Sequence, residues 1–263
     1  MSTKSNAPTN SRYLDMQAYV GITKHNGGRE ATNELLSLCH VEAAREVLNV
    51  GCGIGVTSAY IAGKHACRVV GVDISEKMIA WSQKRAREAH VEDRVEFRTA
   101  DVLNLPYETG RFDVVFAESV IGFVEDRPRA IRECVRVTKP GGYVGLNETF
   151  WIEELTPEAA AQVKDAVGMS VPTVATWQAL WEACGLNDRV VRVYKIDARK
   201  EVRGRLQWLG ARWVLGGFGR LFRLYLTEPS FRPFLKDVFN APMETMEYMG
   251  YGLLVGRKPG GGA

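Results

Sequence analysis

A chain of 263 residues with 46% hydrophobic content can enclose one α/β domain with a substantial core and an added element. Its net charge of +3 is too small to single out nucleic acid as a partner. Five cysteines, Cys39, Cys52, Cys67, Cys134 and Cys184, make an odd set without CxxC spacing, which argues against a disulfide framework and a zinc site.

In chain order, residues 1–12 are small and polar, without the apolar centre of a signal peptide, and are expected to be disordered. No run reaches the roughly 18 apolar residues that span a bilayer, so a cytoplasmic protein is expected. A glycine-containing loop, Thr23-Lys24-His25-Asn26-Gly27-Gly28, precedes a helix over Glu30–Cys39. The strand Val47–Val50 then runs into Gly51-Cys52-Gly53-Ile54-Gly55. Glycines there take backbone angles closed to other residues and hold no side chain against a ligand. After a helix over Thr57–Lys64, a second strand, Cys67–Val72, ends at Asp73, whose carboxylate can accept from both hydroxyls of a ribose. A dinucleotide fingerprint places its third glycine three after the second, but Val56 stands there and Gly55 falls one early. Ser75 caps the next helix, Lys77–Ala89, and a third strand leads to Ala100-Asp101-Val102. A fourth strand runs over Arg111–Glu118, a helix over Arg129–Val137, and Lys139-Pro140-Gly141-Gly142-Tyr143-Val144 turns into a fifth. Thr173 caps a helix with Trp177, Leu180 and Trp181 on one side, ended by Gly185; Val190–Ile196 and Met246–Gly256 read as the last strands.

This series, from the glycine turn through the acids closing strands two, three and four, resembles the class I S-adenosylmethionine-dependent methyltransferases. The branch it is similar to methylates small molecules such as quinones, lipids, sterols and amines. The resemblance covers about residues 20 to 198 and the final strand. It implies an α/β Rossmann-like fold: a seven-stranded mixed sheet with helices on both faces, here with a helical insert between the last two strands. It also implies S-adenosylmethionine as cofactor, with Gly51, Cys52 and Gly53 at its methionine end, Asp73 on the ribose and Ile74 flanking the adenine. Asp101 would accept from the adenine amino group with the Val102 backbone beside it, and Glu118 would lie beside the methionine moiety. Two positions depart from the pattern. Asn49 stands where the family usually has an acid, and Phe123 near where many relatives carry a His.

The expected organisation is a disordered 1–12, a core with an N-terminal cap over 13–198, an insert over 199–245 and a last strand and tail over 246–263. From Arg199 to Arg223 the insert carries seven basic residues against one acid, Glu201, interleaved with Leu206, Trp208, Trp213, Leu215, Phe218 and Phe222. Three partners stay open for those apolar residues: the protein core, a hydrophobic substrate, or an anionic membrane at its inner face through 199–225. Nucleic acid is not an expected partner, and the sequence leaves the oligomeric state open.

An activated methyl donor needs mainly positioning, plus a base where the acceptor must lose a proton. The catalytic candidates are His25, Glu148 and Tyr19; Tyr13, Glu118, Asn147, Tyr248 and Tyr251 belong to the wider set near the strand ends. Without a His after strand four, the shape of the pocket is expected to outweigh any single base. The expected reaction is methylation of a small hydrophobic or amphipathic acceptor. Lipid cyclopropane formation, amine N-methylation, nicotinamide-dependent oxidoreduction and non-catalytic cofactor binding are the alternatives.

Overall fold

The computed structural model describes residues 9–23, 25–153, 156–158, 160–161, 171–239 and 247–260. Seven strands form one sheet: β1 (Glu46–Val50), β2 (Arg68–Asp73), β3 (Val95–Thr99), β4 (Phe112–Glu118), β5 (Thr138–Trp151), β6 (Asn187–Lys195) and β7 (Met249–Arg257). Their order is β3-β2-β1-β4-β5-β7-β6, and only β7 runs against the rest. The mixed sheet is therefore as expected. β5 begins at Thr138, taking in the turn expected to lead into it, and runs on to Trp151, with β7 paired along it as far as Met249.

Alternation along the central strands builds a core on each face. Leu48 and Val50 of β1 join Val115 and Ala117 of β4 in one cluster, while Val47, Val114 and Phe116 point into another. The first cluster is closed by α5 (Arg127–Val137) and α6 (Val174–Glu182), the second by α2 (Gly28–Leu38) and α3 (Val56–Lys64). Trp177 and Trp181 on α6 are fully buried, and their indole N–H groups donate to the carbonyls of Thr149 and Val255, 3.2 and 3.3 Å away. That satisfies the polar end of each ring while its apolar body fills the core.

Caps fix the helix starts. Asp126 accepts from the Arg129 N–H at 3.0 Å and starts α5 two residues before the expected Arg129. Ser75 accepts from Met78 N–H ahead of α4 (Glu76–Glu88), and Thr173 from Thr176 N–H ahead of α6. At the N-terminus, residues 1–8 lie outside the described residues, and α1 (Thr9–Val20) begins inside the stretch expected to be disordered, a correction at residues 9–12.

From β1 the chain builds β2 and β3 to one side, then returns to place β4 on the other side of β1. The carboxyl ends of β1 and β4 thus flank the point where strand order reverses, the crevice in which open α/β sheets bind ligands. Among the described residues three helices follow β6: α7 (Ala198–Leu209), α8 (Ala211–Thr227) and α9 (Phe231–Phe239). Leu209 and Val214 pack with Ala18 of α1, Met78 of α4 and the fully buried Ile54 of the glycine turn, so the insert lies over the start of that crevice.

The docking of the insert is partly polar. Carbonyls at the end of α1 have no partner within their own helix. Here Trp81 Nε1 donates to Ala18 at 3.0 Å, Arg220 Nε to Val20 at 2.6 Å and Trp213 Nε1 to Gly21 at 2.6 Å. The Arg220 guanidinium lies 4.7 Å from the Trp81 ring and that of Arg85 lies 4.0 Å from Trp213. One face of the insert is therefore core.

Candidate active site

The three glycines of the turn have left-handed angles, with φ of 65° at Gly51, 54° at Gly53 and 75° at Gly55. A Cβ on Gly51 would come within 2.2 Å of Val120, and one on Gly53 within 2.4 Å of Thr23. The glycines thus also let two covering segments, the β4–α5 connection and the loop after α1, close onto the turn. Cys52 is buried and its N–H donates to the Val72 carbonyl at 2.8 Å, tying the turn to the end of β2.

Asp73 closes β2 and grips the turn: one oxygen accepts from Gly53 N–H and the other from Ser75 N–H, both at 2.9 Å. Burial pushes its carboxyl above the usual range, against these two N–H groups, which favour the charged form. Beside it Ile74 is 66% exposed, an apolar side chain held largely open at a strand end. Asp101 is exposed and accepts from Leu103 N–H at 2.9 Å, while Val102 is buried. Asn49 is buried, and its amide donates to Ser58 Oγ at 3.0 Å, so the departure from an acid there comes with its own partner on α3.

Glu118 stands at the end of β4 as the hub of a polar cluster. Thr32 of α2 donates to one oxygen at 2.6 Å and Thr57 of α3 to the other at 2.7 Å. His25 Nε2 lies 3.8 Å from the same carboxylate, 3.0 Å from Thr32 Oγ1 and 3.3 Å from the Gly28 carbonyl. Since a carbonyl only accepts, and Thr32 gives its proton to Glu118, Nε2 carries a proton, and in the neutral ring the lone pair is then on Nδ1. The His25 loop is pinned on β5: Asn26 Nδ2 donates to Thr149 Oγ1 at 2.8 Å, and Asn147 Nδ2 to the Asn26 carbonyl at 2.9 Å. From the insert, Glu201 accepts from Gly27 N–H at 2.5 Å, and the Trp208 ring stands edge-on to His25 at 6.3 Å. Trp208 Nε1 is buried and has no hydrogen-bond partner among the described residues.

Glu148 sits elsewhere in this architecture. It is 1% exposed, and its oxygens accept from the N–H groups of Val120, Ile121 and Gly122 at 3.0, 2.8 and 3.2 Å. Burial raises its carboxyl to about 7, opposed by those three N–H groups and by Arg127. These bonds tie it to the connection that carries Val120 over Gly51. Tyr19 is half-buried on α1, and no hydrogen bond among the described residues joins it to either carboxylate. Phe123, near where the family resemblance would put a His, stacks on Tyr13 with ring centres 6.0 Å apart.

Thr32, Thr57 and Asn26 were not expected as members of this group. A threonine in a helix gives no sequence signal of facing a carboxylate, although Thr57 does fall in the first turn after the glycines, where any side chain nears the strand ends.

Residues 48–146, from β1 to the middle of β5, match the methyltransferase domain family. Over 247 residues the chain is 31% identical to 27-O-demethylrifamycin SV methyltransferase of Amycolatopsis mediterranei, covering 87% of this chain and 82% of that protein. The chain belongs to the S-adenosylmethionine-dependent methyltransferases. Methyltransferase GfsG of Streptomyces halstedii is 32% identical over 164 residues, and phosphoethanolamine N-methyltransferase 1 of Triticum aestivum 32% over 193. The matched stretches span 59% and 38% of those two proteins' lengths. Among solved structures, the [4+2]-cyclase SpnF shares the fold of this methyltransferase with a TM-score of 0.76 and 23% identity, over 97% of this chain and 98% of that one. As a methyltransferase the chain uses S-adenosylmethionine as methyl donor, which sets aside the nicotinamide alternative. Among the described residues no helix is long and apolar enough to cross a membrane.

Proposed function

We propose that this methyltransferase methylates a hydroxyl group on a small amphipathic acceptor, with His25 receiving the acceptor's proton. The observation that carries this reading is the His25–Thr32–Glu118 chain at the end of β4. A neutral hydroxyl is a poor nucleophile until its proton leaves, so it needs a base in place, whereas a free amine does not. The rifamycin enzyme, which matches most of this chain, is by its name an O-methyltransferase, and this supports the hydroxyl over an amine. The reading gives one base more weight than the sequence expectation did.

The residues at the crevice fit the donor. Asp73 keeps lone pairs free on both oxygens for ribose hydroxyls, the exposed Ile74 side chain would flank the adenine, and Asp101 with the Val102 backbone would meet its amino group. Gly51, Cys52 and Gly53 bring backbone to the methionine end, where Glu118 offers its remaining lone pairs to the ammonium. The bound sulfonium supplies a methyl group already activated for in-line displacement. The residues of the chain then have three tasks. His25 Nδ1 takes the hydroxyl proton as the oxygen–methyl bond forms and the sulfur–methyl bond breaks. Glu118, through Thr32, orients the ring and faces the charge that develops on it. Glu148 acts as a positioning group, holding the β4–α5 connection over the turn, and Tyr19 contributes to the wall on α1.

Trp208, from the insert, closes the acceptor side with an aromatic edge and one unspent N–H donor. Incubation with S-adenosylmethionine labelled in its methyl group tests the reading, using hydroxylated macrocycles, prenylated hydroquinones and phosphoethanolamine as acceptors. The label is expected on the hydroxyl oxygen of an apolar acceptor, and Trp208→Ala is expected to raise KM about tenfold or more with kcat less affected, the loss of a buried aromatic contact and a hydrogen bond. Labelling of phosphoethanolamine alone would overturn it.

A further inference from the structure

The insert has a second apolar face that the active site does not use. On α8, Trp213, Gly217, Arg220 and Leu224 turn toward α1 and the core. The opposite side carries Leu215, Phe218, Phe222, Tyr225 and Leu226, exposed by 70, 60, 65, 47 and 55%. At 100° per residue these five fall within one stripe along a helix about 25 Å long. A helix apolar on both sides is ordinarily buried on both sides, and scattered exposed residues are no precedent for a continuous stripe.

The charge beside the stripe selects what covers it. Between Glu201 and Glu228 the sequence holds five arginines and no acid. Arg220 is spent on Val20 and Trp81, and Arg232 on the carbonyls of Tyr225 and Leu226, but Arg212 and Arg223 lie exposed along one flank of the stripe. A second copy docked two-fold through this face would set these arginines against themselves. An anionic lipid surface offers apolar depth to the rings and phosphates to the guanidinium groups, whose stems lie along the apolar boundary.

We infer that the outer face of α8 docks on anionic membrane, with Phe218 and Phe222 entering the interface and Arg212 and Arg223 meeting lipid phosphates. The inference is independent of the acceptor. Arg220, one of the insert's seven basic residues, belongs instead to the docking of the insert on α1.

Co-sedimentation of the full chain with phosphatidylcholine vesicles, with and without phosphatidylglycerol, tests it. Binding is expected to the mixed vesicles and to be at least tenfold weaker to phosphatidylcholine alone. The double variant Phe218→Ser, Phe222→Ser should lose it, and Arg212→Gln with Arg223→Gln should weaken it about tenfold or more, from roughly 1 kcal/mol per cation at an anionic surface. Both variants alter exposed residues, and unchanged S-adenosylmethionine binding by each would show that the fold is kept. Failure of the wild-type chain to bind the mixed vesicles overturns the inference. So does concentration-dependent dimerisation that the phenylalanine variant abolishes while vesicles are ignored, which would make a second copy the occupant.

Discussion

Replacement of His25 by Ala is expected to lower kcat by about 10² to 10⁴-fold while changing the affinity for S-adenosylmethionine by less than about threefold, the span over which a positioned proton acceptor acts. The geometry behind this is specific. The ring nitrogen near Glu118 is held by Thr32 and the Gly28 carbonyl, which leaves Nδ1 as the acceptor. His25→Asn is the informative companion, since it returns a hydrogen-bonding group of similar reach without a titratable ring. A rate for His25→Asn as low as for Ala points to proton transfer; recovery to near wild type points to orientation alone. Thr32→Val should lower kcat less than His25→Ala, because it breaks the link to Glu118 and leaves the imidazole in place. An alanine variant at wild-type kcat would remove His25 from the chemistry.

The second large effect is on stability. Glu148 is ordinarily half-ionised near 4.5 and is pushed to about 7 in the fold, chiefly by burial. Between those pH values the folded chain holds more protons than the unfolded one, so this group's contribution is full below about 4.5 and is lost as pH rises to about 7. A shift of that size corresponds to roughly 3 kcal/mol. Glu148→Gln removes this pH dependence. It also turns an amide N–H toward a backbone N–H among Val120, Ile121 and Gly122, leaving a buried donor unpaired at about 1 to 3 kcal/mol. Urea unfolding at pH 5 and pH 8 should therefore show the variant clearly less stable at pH 5 and the gap narrower at pH 8. A gap that widens with pH would contradict the assigned direction.

Much of this site was legible in the sequence because its constraints are local. A glycine turn after an apolar strand, and an acid closing the next strand about 20 residues on, can be read from chirality and period alone, and Gly53 and Asp73 do meet, through a hydrogen bond from Gly53 N–H. Glu148 was harder. A carboxylate late in a strand reads the same whether it faces an acceptor or three loop amides, and only the path of the β4–α5 connection distinguishes these. The faces of α8 were not legible for a different reason: both are apolar, so periodicity cannot say which one turns inward. Arg220 and Arg223, three residues apart, differ only in what α1 places beneath them. The start of α1 at Thr9 was hidden by a polar composition that reads as disorder when the helices it docks on are not known.

Calorimetric titration of S-adenosylmethionine into the wild-type chain and into Asp73→Ala tests the account most directly, because the site is built around the turn that Asp73 holds. The wild type is expected to bind at one site per chain. The variant should bind at least tenfold more weakly, since it loses a charge-assisted partner worth about 1.5 to 3 kcal/mol and frees Gly53 N–H from its carboxylate. Equal affinity in the two proteins, or no binding by the wild type, would contradict the placement of the donor in this crevice.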